Sequence, residues 1–206
     1  MLLQDMYLKE FIKATASNQP VPGGGSVSAY CASIGVALAQ MVASLTAGKK
    51  GYENVSQQML DYIPILEQLQ DQFLNDIDRD SDSFDAVMQA FKLPKESEQD
   101  KQIRRASIQE ATKNAALVPM QLAEKIASLF PICEFIATNG NKNALSDICV
   151  ATMLLRTGLL GALYNVRINL TSLPQSPFTE SMYGKVAQLE EYAIAQEKNI
   201  LSQVKI

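Results

Sequence analysis

Residues 21–52 read VPGGGSVSAYCASIGVALAQMVASLTAGKKGY, and no other part of the chain constrains the architecture as strongly. The part from Val27 to Thr46 is uncharged and about as long as a bilayer span. It is nevertheless built from Ala, Ser and Gly rather than from Leu, Ile and Phe, and small residues repeat at positions 29, 33 and 37 and at positions 35, 39 and 43. Because small residues at helical spacing let helix backbones approach closely, we predict a buried central helix of a soluble bundle, from about Ser26 to Ala47, and not a membrane span.

The segments on either side of this helix show the 3.6-residue periodicity of amphipathic helices, and no segment shows a convincing strand pattern. We predict further helices at about residues 2–16, 52–91, 97–131, 144–170 and 179–204. A kink or break is expected near Pro64, a bend at Pro119, and an end or a change of direction at Pro131. Since no linker is long enough to divide the chain, residues 1–206 are predicted to form one all-α domain, a bundle of about six or more helices.

Composition narrows the class of protein. With 47% hydrophobic and 19% charged residues, the chain can bury a sizeable core, which excludes wholesale disorder. A net charge of −4, a pI near 5.0 and no Lys/Arg run longer than two argue against a nucleic-acid partner. Charges at positions 5, 9, 10 and 13 interrupt any signal-peptide core, and the three cysteines include no CxxC pair. We therefore expect a cytoplasmic protein without a disulfide scaffold or a zinc knuckle.

The chain contains no histidine. This excludes Ser-His and Cys-His nucleophiles, an imidazole general base and histidine metal ligands. Any acid–base chemistry must therefore use carboxylates, Lys, Tyr or Cys.

The entrance of the central helix carries the first candidate site. Gly23, Gly24 and Gly25 leave backbone N–H groups unobstructed, and Ser26 can cap the helix. Such an entrance can bind an anion, although no Lys follows the glycines as it would in a Walker A loop. The alternative is a tight turn between packed helices.

An acidic run occupies positions 76, 78, 80, 82 and 85. An EF-hand starting at Asp76 is excluded, because Ser81 replaces the required Gly and Val87 replaces the closing Glu. Residues two apart on a helix point in divergent directions, so most of these acids are expected to face solvent. Asp80 is the natural candidate to point into a site.

A third group lies at the two ends of the predicted helix 144–170. Asn143 could cap this helix and Asp147 could complement its dipole, whereas Asn165 and Asn169 stand in an apolar segment where buried amides need partners. Asp147 and Asn165 share a face but are five turns, or about 27 Å, apart. If the helix is continuous, one chain cannot bring them together, although two antiparallel copies across a two-fold axis could.

Two arginines, Arg156 and Arg167, lie eleven residues apart and so on nearly one face of the same helix. Pairing with the surplus carboxylates is the default interpretation, and contact with an anionic ligand is the alternative.

Four segments together resemble the cyclodeaminase/cyclohydrolase family of folate enzymes. They are VPGGGSVSAYCASIGVALAQMVASLTAGKKGY (21–52), DSDSFDAVMQAFKLPK (80–95), RRASIQEATKNAALVP (104–119) and GNKNALSDICVATMLLRTGLLGALYNVRINL (140–170). The resemblance covers nearly the whole chain, with Ser83 as a small departure from the usual Ala. It implies an all-helical homodimer that acts on a tetrahydrofolate substrate without a metal or a further cofactor. The dimer could assemble further, and the charge and composition described above predict no nucleic-acid or membrane partner.

The resemblance also suggests roles for particular residues. Asp147 is the first choice for the acid–base group and Asp80 the second, with the pKa tuned by burial. The pterin edges would be bound by Asn165 and Asn169. The substrate carboxylates would be received by the helix entrance (Gly23, Gly24, Gly25, Ser26) or by a basic residue such as Lys49 or Arg156, and Asn141 and Asn143 complete the predicted substrate-binding set.

The implied reaction is the conversion of 5-formimidoyltetrahydrofolate to 5,10-methenyltetrahydrofolate with release of ammonia. The alternatives are hydrolysis of the methenyl compound to 10-formyltetrahydrofolate, and a helical dimer that binds folate without turning it over. The residues do not separate the two reactions, because both pass through adducts at the same carbon.

Overall fold

The structure, a computed structural model, describes residues 2–205, and within them every regular element is a helix. Two short 3₁₀ helices span Leu3–Asp5 and Lys142–Ala144. The α-helices are α1 (Leu8–Thr15), α2 (Gly24–Thr46), α3 (Glu53–Phe91), α4 (Glu98–Ala127), α5 (Phe130–Asn139), α6 (Leu145–Leu170) and α7 (Pro177–Gln203). The prediction of an all-α bundle is confirmed.

Two predictions about helix continuity differ from the structure. The segment predicted as one helix at 2–16 is two, because the carboxylate of Asp78 accepts the backbone N–H of Leu3 and of Gln4 and holds a separate first turn. Of the kink or break expected near Pro64, the break is wrong: α3 runs for 39 residues through it, with Met59 and Leu66 fully buried on either side. Pro119 lies inside the continuous helix α4, and the bend expected there stays a prediction.

Helices α2, α3, α4 and α6 surround the core, and α2 packs most extensively against α3 and α6. The close approach of α2 and α6 depends on small residues. A Cβ on Gly158 would lie 2.8 Å from the carbonyl oxygen of Ser28, too close for any side chain. The predicted burial of the central helix is confirmed for the side that carries Ala29, Ala39 and Ala43, which are inaccessible to solvent, but not for the side that carries Ile34 and Met41.

The acidic run on α3 is less exposed than expected. Asp76 is 2% exposed and pairs with Arg79 at 2.5 Å and with Lys125 of α4 at 3.0 Å, which ties α3 to α4. Asp78 binds the first turn of the chain, and only Asp82 and Asp85 are exposed. The expectation that most of these acids face solvent is therefore wrong, because partners from three other parts of the chain reach them.

The outer surface of α2 and α6 is apolar and has no partner helix among the described residues. We call it the α2–α6 face. Its exposed side chains are Ile34, Met41 and Leu45 on α2 and Val150, Met153, Tyr164 and Ile168 on α6.

Three stretches are long and apolar enough to cross a membrane by length and composition alone: Gly24–Thr46, Glu98–Asn139 and Lys142–Leu170. In the fold they pack against other helices, and 56%, 61% and 39% of their most apolar windows are buried. The third has the lowest buried share, because α6 contributes much of the α2–α6 face.

Helices α3 and α4 extend beyond the ends of α2 and α6. Asp80 lies beside the first turn of α2, and Asn169, one residue before the end of α6, donates to the carbonyl of Ala115. Residues 81–114 therefore form a helical hairpin that projects from the body of the bundle, and we call it the arm. Only Ser83, Ala90 and Thr112 are buried along it.

Candidate active site

A cavity of about 290 Å³ lies where the arm leaves the bundle. It is bounded by all four core helices and by the segment before α2. Its lining residues are Pro20, Val21, Gly23, Gly24, Asp80, Ser83, Phe84, Val87, Ala115, Asn165, Ile168 and Asn169. The cavity thus brings together five of the residues predicted for the site: Gly23, Gly24, Asp80, Asn165 and Asn169.

Asp80 is held against the first turn of α2. Its Oδ2 atom accepts the backbone N–H of Ser26 at 3.0 Å and the Ser26 hydroxyl at 3.4 Å. The Ser26 hydroxyl also donates to the carbonyl of Ile77 at 2.9 Å. A Cβ at Gly25 would overlap the Asp80 carboxylate, so glycine is required there for the carboxylate to reach the backbone.

This contact changes the expected use of the helix entrance. The N–H of Ser26, predicted to receive a substrate carboxylate, is already occupied by a carboxylate of the chain itself. A negative charge at a helix N-terminus is favourable, and Asp80 supplies it from α3. Ser26 therefore positions Asp80 in this fold.

The environment of Asp80 suits a group that exchanges protons. Burial raises the pKa of the Asp80 carboxyl, and the hydrogen bonds from the backbone and side chain of Ser26 partly oppose that rise. Both bonds go to Oδ2, and among the described residues none goes to Oδ1. One carboxylate oxygen therefore remains available to a molecule in the cavity.

Asn165 and Asn169 are oriented by backbone carbonyls. The amide nitrogen of Asn165 donates to Gly161, and that of Asn169 donates to Ala115 and to Asn165, all at 2.9 Å. Carbonyl acceptors require the NH₂ side of each amide, which fixes the orientation of both side chains. Neither amide oxygen accepts a hydrogen bond from the described part of the chain.

The cavity therefore offers three free acceptors, one each from Asp80, Asn165 and Asn169, beside the apolar side chains of Phe84 and Ile168. Such a site is complementary to a flat ring whose edge carries N–H donors. Within residues 2–205, no group of three or more Cys, Asp or Glu side chains is arranged to hold a metal ion.

Four of the other predicted residues, namely Lys49, Asn141, Asn143 and Asp147, lie at the opposite end of α2 and α6. The ammonium group of Lys49 donates to the side-chain oxygen of Asn141 at 2.9 Å, and the backbone of Asn143 donates to the same oxygen. Asp147 lies in the first turn of α6 and is half-buried. Because α6 is continuous, Asp147 is about 27 Å from Asn165, and one chain does not bring the two groups together.

The structure also bears on two further interpretations. Asn143 does not cap α6: the N-cap is Ala144, while the side chain of Asn141 caps the short helix before it. Arg156 faces Glu197 of α7 at 3.5 Å, which favours the pairing role over contact with a ligand.

Sequence reasoning did not identify the apolar wall of the cavity. Phe84 and Val87 lie four and seven residues after Asp80, so all three share one face of α3. Ile168 and Ala115 complete the wall from α6 and α4. The helical spacing from Asp80 was the signal in the sequence that could have identified Phe84 and Val87.

Comparisons with known proteins identify the family. The model of the formiminotransferase-cyclodeaminase family matches residues 7–188. The chain is 34% identical to mouse formimidoyltransferase-cyclodeaminase over 199 residues, which is 97% of this chain and 37% of that protein. It therefore spans little more than a third of that longer relative.

Two relatives have nearly the same length as this chain. Methenyltetrahydrofolate cyclohydrolase of Methylorubrum extorquens is 35% identical over 198 residues, covering 96% of this chain and 95% of that protein. The crystal structure of formiminotetrahydrofolate cyclodeaminase from Thermotoga maritima superposes with a TM-score of 0.88 at 30% identity, covering 98% of this chain and 97% of that one. From the matched family model and these relatives, the chain belongs to the formiminotransferase-cyclodeaminase family.

Proposed function

We propose that this protein is a folate one-carbon enzyme that converts 5-formimidoyltetrahydrofolate to 5,10-methenyltetrahydrofolate and releases ammonia. The observation that carries the proposal is the cavity at Asp80. The chain that forms it belongs to the formiminotransferase-cyclodeaminase family. A carboxyl with a raised pKa stands there beside free acceptors that complement the N–H donors of a reduced pterin.

The proposed reaction needs a proton to be moved between two nitrogens. N10 attacks the carbon of the protonated formimidoyl group on N5, and the tetrahedral adduct that forms carries a neutral amino group. The carboxylate of Asp80 takes the proton from N10 and returns it to the amino group, which leaves as ammonia when its bond to carbon breaks. The asparagine amides hold the pterin so that N10 and the carbon stay in contact.

Methenyltetrahydrofolate cyclohydrolase is the second candidate function. It is favoured by the 35% identity to the relative of that name, whose length this chain matches. Here water attacks the methenyl carbon, the bond from that carbon to N5 breaks, and 10-formyltetrahydrofolate forms. Asp80 would take a proton from the attacking water and return it to N5 as that nitrogen leaves, while the adduct hydroxyl releases its proton to solvent as the formyl C=O forms. The same carboxylate therefore serves both reactions.

We further propose that the active enzyme is a homodimer formed through the α2–α6 face. The face is apolar and continuous with the site, because Ile168 belongs to the face and also lines the cavity. Asp147 lies eighteen residues before Asn165 on α6, hence on the same side of the helix. A two-fold axis through the middle of the face would place Asp147 and Lys49 of a partner subunit beside the Asp80 cavity.

Direct assay of both reactions distinguishes the candidates. Purified protein is given 5-formimidoyltetrahydrofolate and ammonia is measured; in parallel it is given 5,10-methenyltetrahydrofolate and loss of the methenyl chromophore is measured. Ammonia release that exceeds methenyl hydrolysis supports the first reaction, and the reverse supports the second. Folate binding without turnover of either compound would contradict both and leave the non-catalytic alternative.

A further inference from the structure

The wall of the cavity continues along α3 into the arm. Asp80, Phe84, Val87 and Phe91 recur at intervals of four, three and four residues, so they form one stripe on α3. The first three line the cavity, and Phe91 is the next member outward. The stripe from Asp80 to Phe91 is about 16 Å long and is apolar after its first residue.

A matching stripe on α4 ends in positive charge. Ala115 lines the cavity, and Ile108, Arg104 and Lys101 lie seven, eleven and fourteen residues before it, on nearly the same side of α4. A second cavity, of about 240 Å³, is lined by Lys95, Lys101, Arg104, Arg105 and Ile108. We call it the basic pocket.

Arg104 joins the two stripes. Its Nε and Nη2 atoms each donate to the carbonyl oxygen of Phe91 at 3.2 Å, and its guanidinium lies 5.6 Å from the centre of the Phe91 ring. The apolar stripe of α3 therefore ends directly at the basic pocket of α4. Together they form one surface that is acidic and polar at Asp80, apolar in the middle and cationic at its outer end.

The cations of the basic pocket are poorly neutralised. Within residues 2–205 no ion pair involves Lys95, Arg104 or Arg105, and Lys101 pairs only with the solvent-exposed Glu98. The whole chain has a net charge of −4, so this concentration of positive charge is a local feature. Guanidinium groups bind carboxylates through two parallel hydrogen bonds, which suits a carboxylate ligand.

We propose that the basic pocket binds the glutamyl carboxylates of the folate substrate, while the apolar stripe contacts the aromatic ring between pterin and glutamate. The inference rests on the proposed function, because it assumes that the pterin occupies the Asp80 cavity. Arg104 and Arg105 would then determine specificity for substrates that carry a glutamate. Neither the acid–base group nor the asparagine amides would provide that specificity.

The test combines a protein substitution with a truncated substrate. Arg105→Gln is the first variant, because Arg105 makes no hydrogen bond to the described residues that the fold would lose. With 5,10-methenyltetrahydrofolate we expect KM to rise about tenfold. With 5,10-methenyltetrahydropteroate, which lacks the glutamate, we expect wild type and variant to differ by less than twofold. Arg104→Lys, which keeps the charge, should raise KM less than Arg104→Gln.

Lys113→Gln is the matched control, since Lys113 lies on the same helix but on another side and pairs with Glu110 at 3.7 Å. It should leave KM for both substrates unchanged. Equal KM changes for both substrates in Arg105→Gln, or no change for either, would overturn the inference. So would a change in the oligomeric state of Arg105→Gln, because that would assign the pocket to contact between subunits.

Equilibrium binding separates this inference from the proposed function. Calorimetric titration with tetrahydrofolate and with tetrahydropteroate needs no turnover. If Arg105→Gln weakens the binding of tetrahydrofolate but not that of tetrahydropteroate, the inference stands. It stands even if the wild type turns over neither the formimidoyl nor the methenyl compound. If the wild type binds tetrahydrofolate and the variant binds it equally well, the inference fails while the proposed function stands.

Discussion

Asp80 is the side chain at which stability and function are in conflict. Burial raises its pKa, so the folded protein binds the Asp80 proton more tightly than the unfolded chain does. The stability that this group contributes is therefore fully present below its unfolded pKa and is lost as the pH rises through its folded value. At neutral pH a charged Asp80 costs stability, which is typical of a group retained for chemistry.

Replacing Asp80 with Asn should separate these two effects. We expect Asp80→Asn to lower kcat by about 10²- to 10⁴-fold, because a general acid–base group is removed. The melting temperature at pH 7 should be unchanged or higher, since Asn can still accept the N–H of Ser26 and carries no buried charge. Below the unfolded pKa of Asp80 the difference in stability should vanish. A large drop in melting temperature at pH 7 would show that Asp80 is structural.

The wild-type pH profile gives a second measurement at the same residue. In the proposed reaction Asp80 first accepts a proton, so kcat/KM should fall as the pH drops through its raised pKa. Ser26→Ala removes the hydroxyl that donates to Asp80 at 3.4 Å, so this inflection should move to higher pH. An inflection at the same pH in both proteins would contradict the positioning role of Ser26.

At the residue scale, the candidate site was partly predictable from sequence. Asn165 and Asn169 were predicted because polar groups in apolar helical segments need partners, and Asp80 was predicted as the member of an acidic run that points into a site. The contact between Asp80 and Ser26 was not predictable, since the two residues are 54 positions apart and meet only through packing of α3 on α2. The preference for Asp147 as the acid–base group stays a prediction that one chain alone does not test.

At the scale of elements, the periodicity of apolar residues predicted the helices well, whereas the break predicted at Pro64 was wrong. The small residues of α2 correctly predicted close packing, because sterics at a helix contact depend on local side-chain size. The break at Pro64 failed because tertiary packing of the flanking buried residues outweighs a local propensity. The projection of the arm could not be predicted from the sequence, since it depends on where α2 and α6 end relative to α3 and α4 in the packed bundle.

A pair of glycine substitutions tests the packing of these elements. Gly158→Ala puts a Cβ against the backbone of α2, so we expect a loss of about 1–3 kcal/mol in the free energy of unfolding. Gly184→Ala is the control, since it lies in the helix α7 with open space around it and should stabilise by about 0.5–1 kcal/mol. Chemical denaturation measures both. Equal effects would mean that α2 and α6 are not in close contact.

For the whole molecule, the α2–α6 face predicts the oligomeric state. Ile34 is exposed in the middle of α2, so Ile34→Glu should convert a dimer of 22.6 kDa subunits into monomers and abolish turnover. Ile194→Glu changes a similarly exposed apolar side chain on α7, outside the α2–α6 face, and should leave both mass and turnover intact. Light scattering after gel filtration in the absence of detergent gives the mass. A wild-type monomer with full turnover would contradict the dimer.

Mixing two inactive variants tests whether the partner subunit completes the site. If Asp80 of one subunit works with Asp147 of the other, Asp80→Asn and Asp147→Asn should each be nearly inactive alone. Random reassociation of equal amounts gives about half hybrids, each with one site that carries both aspartates, so about a quarter of wild-type activity should return. Reassociated mixtures of Asp80→Asn with Asp80→Ala should recover nothing, because no site is then intact. Full activity of Asp147→Asn alone would instead confine the chemistry to Asp80 and the residues of its own chain.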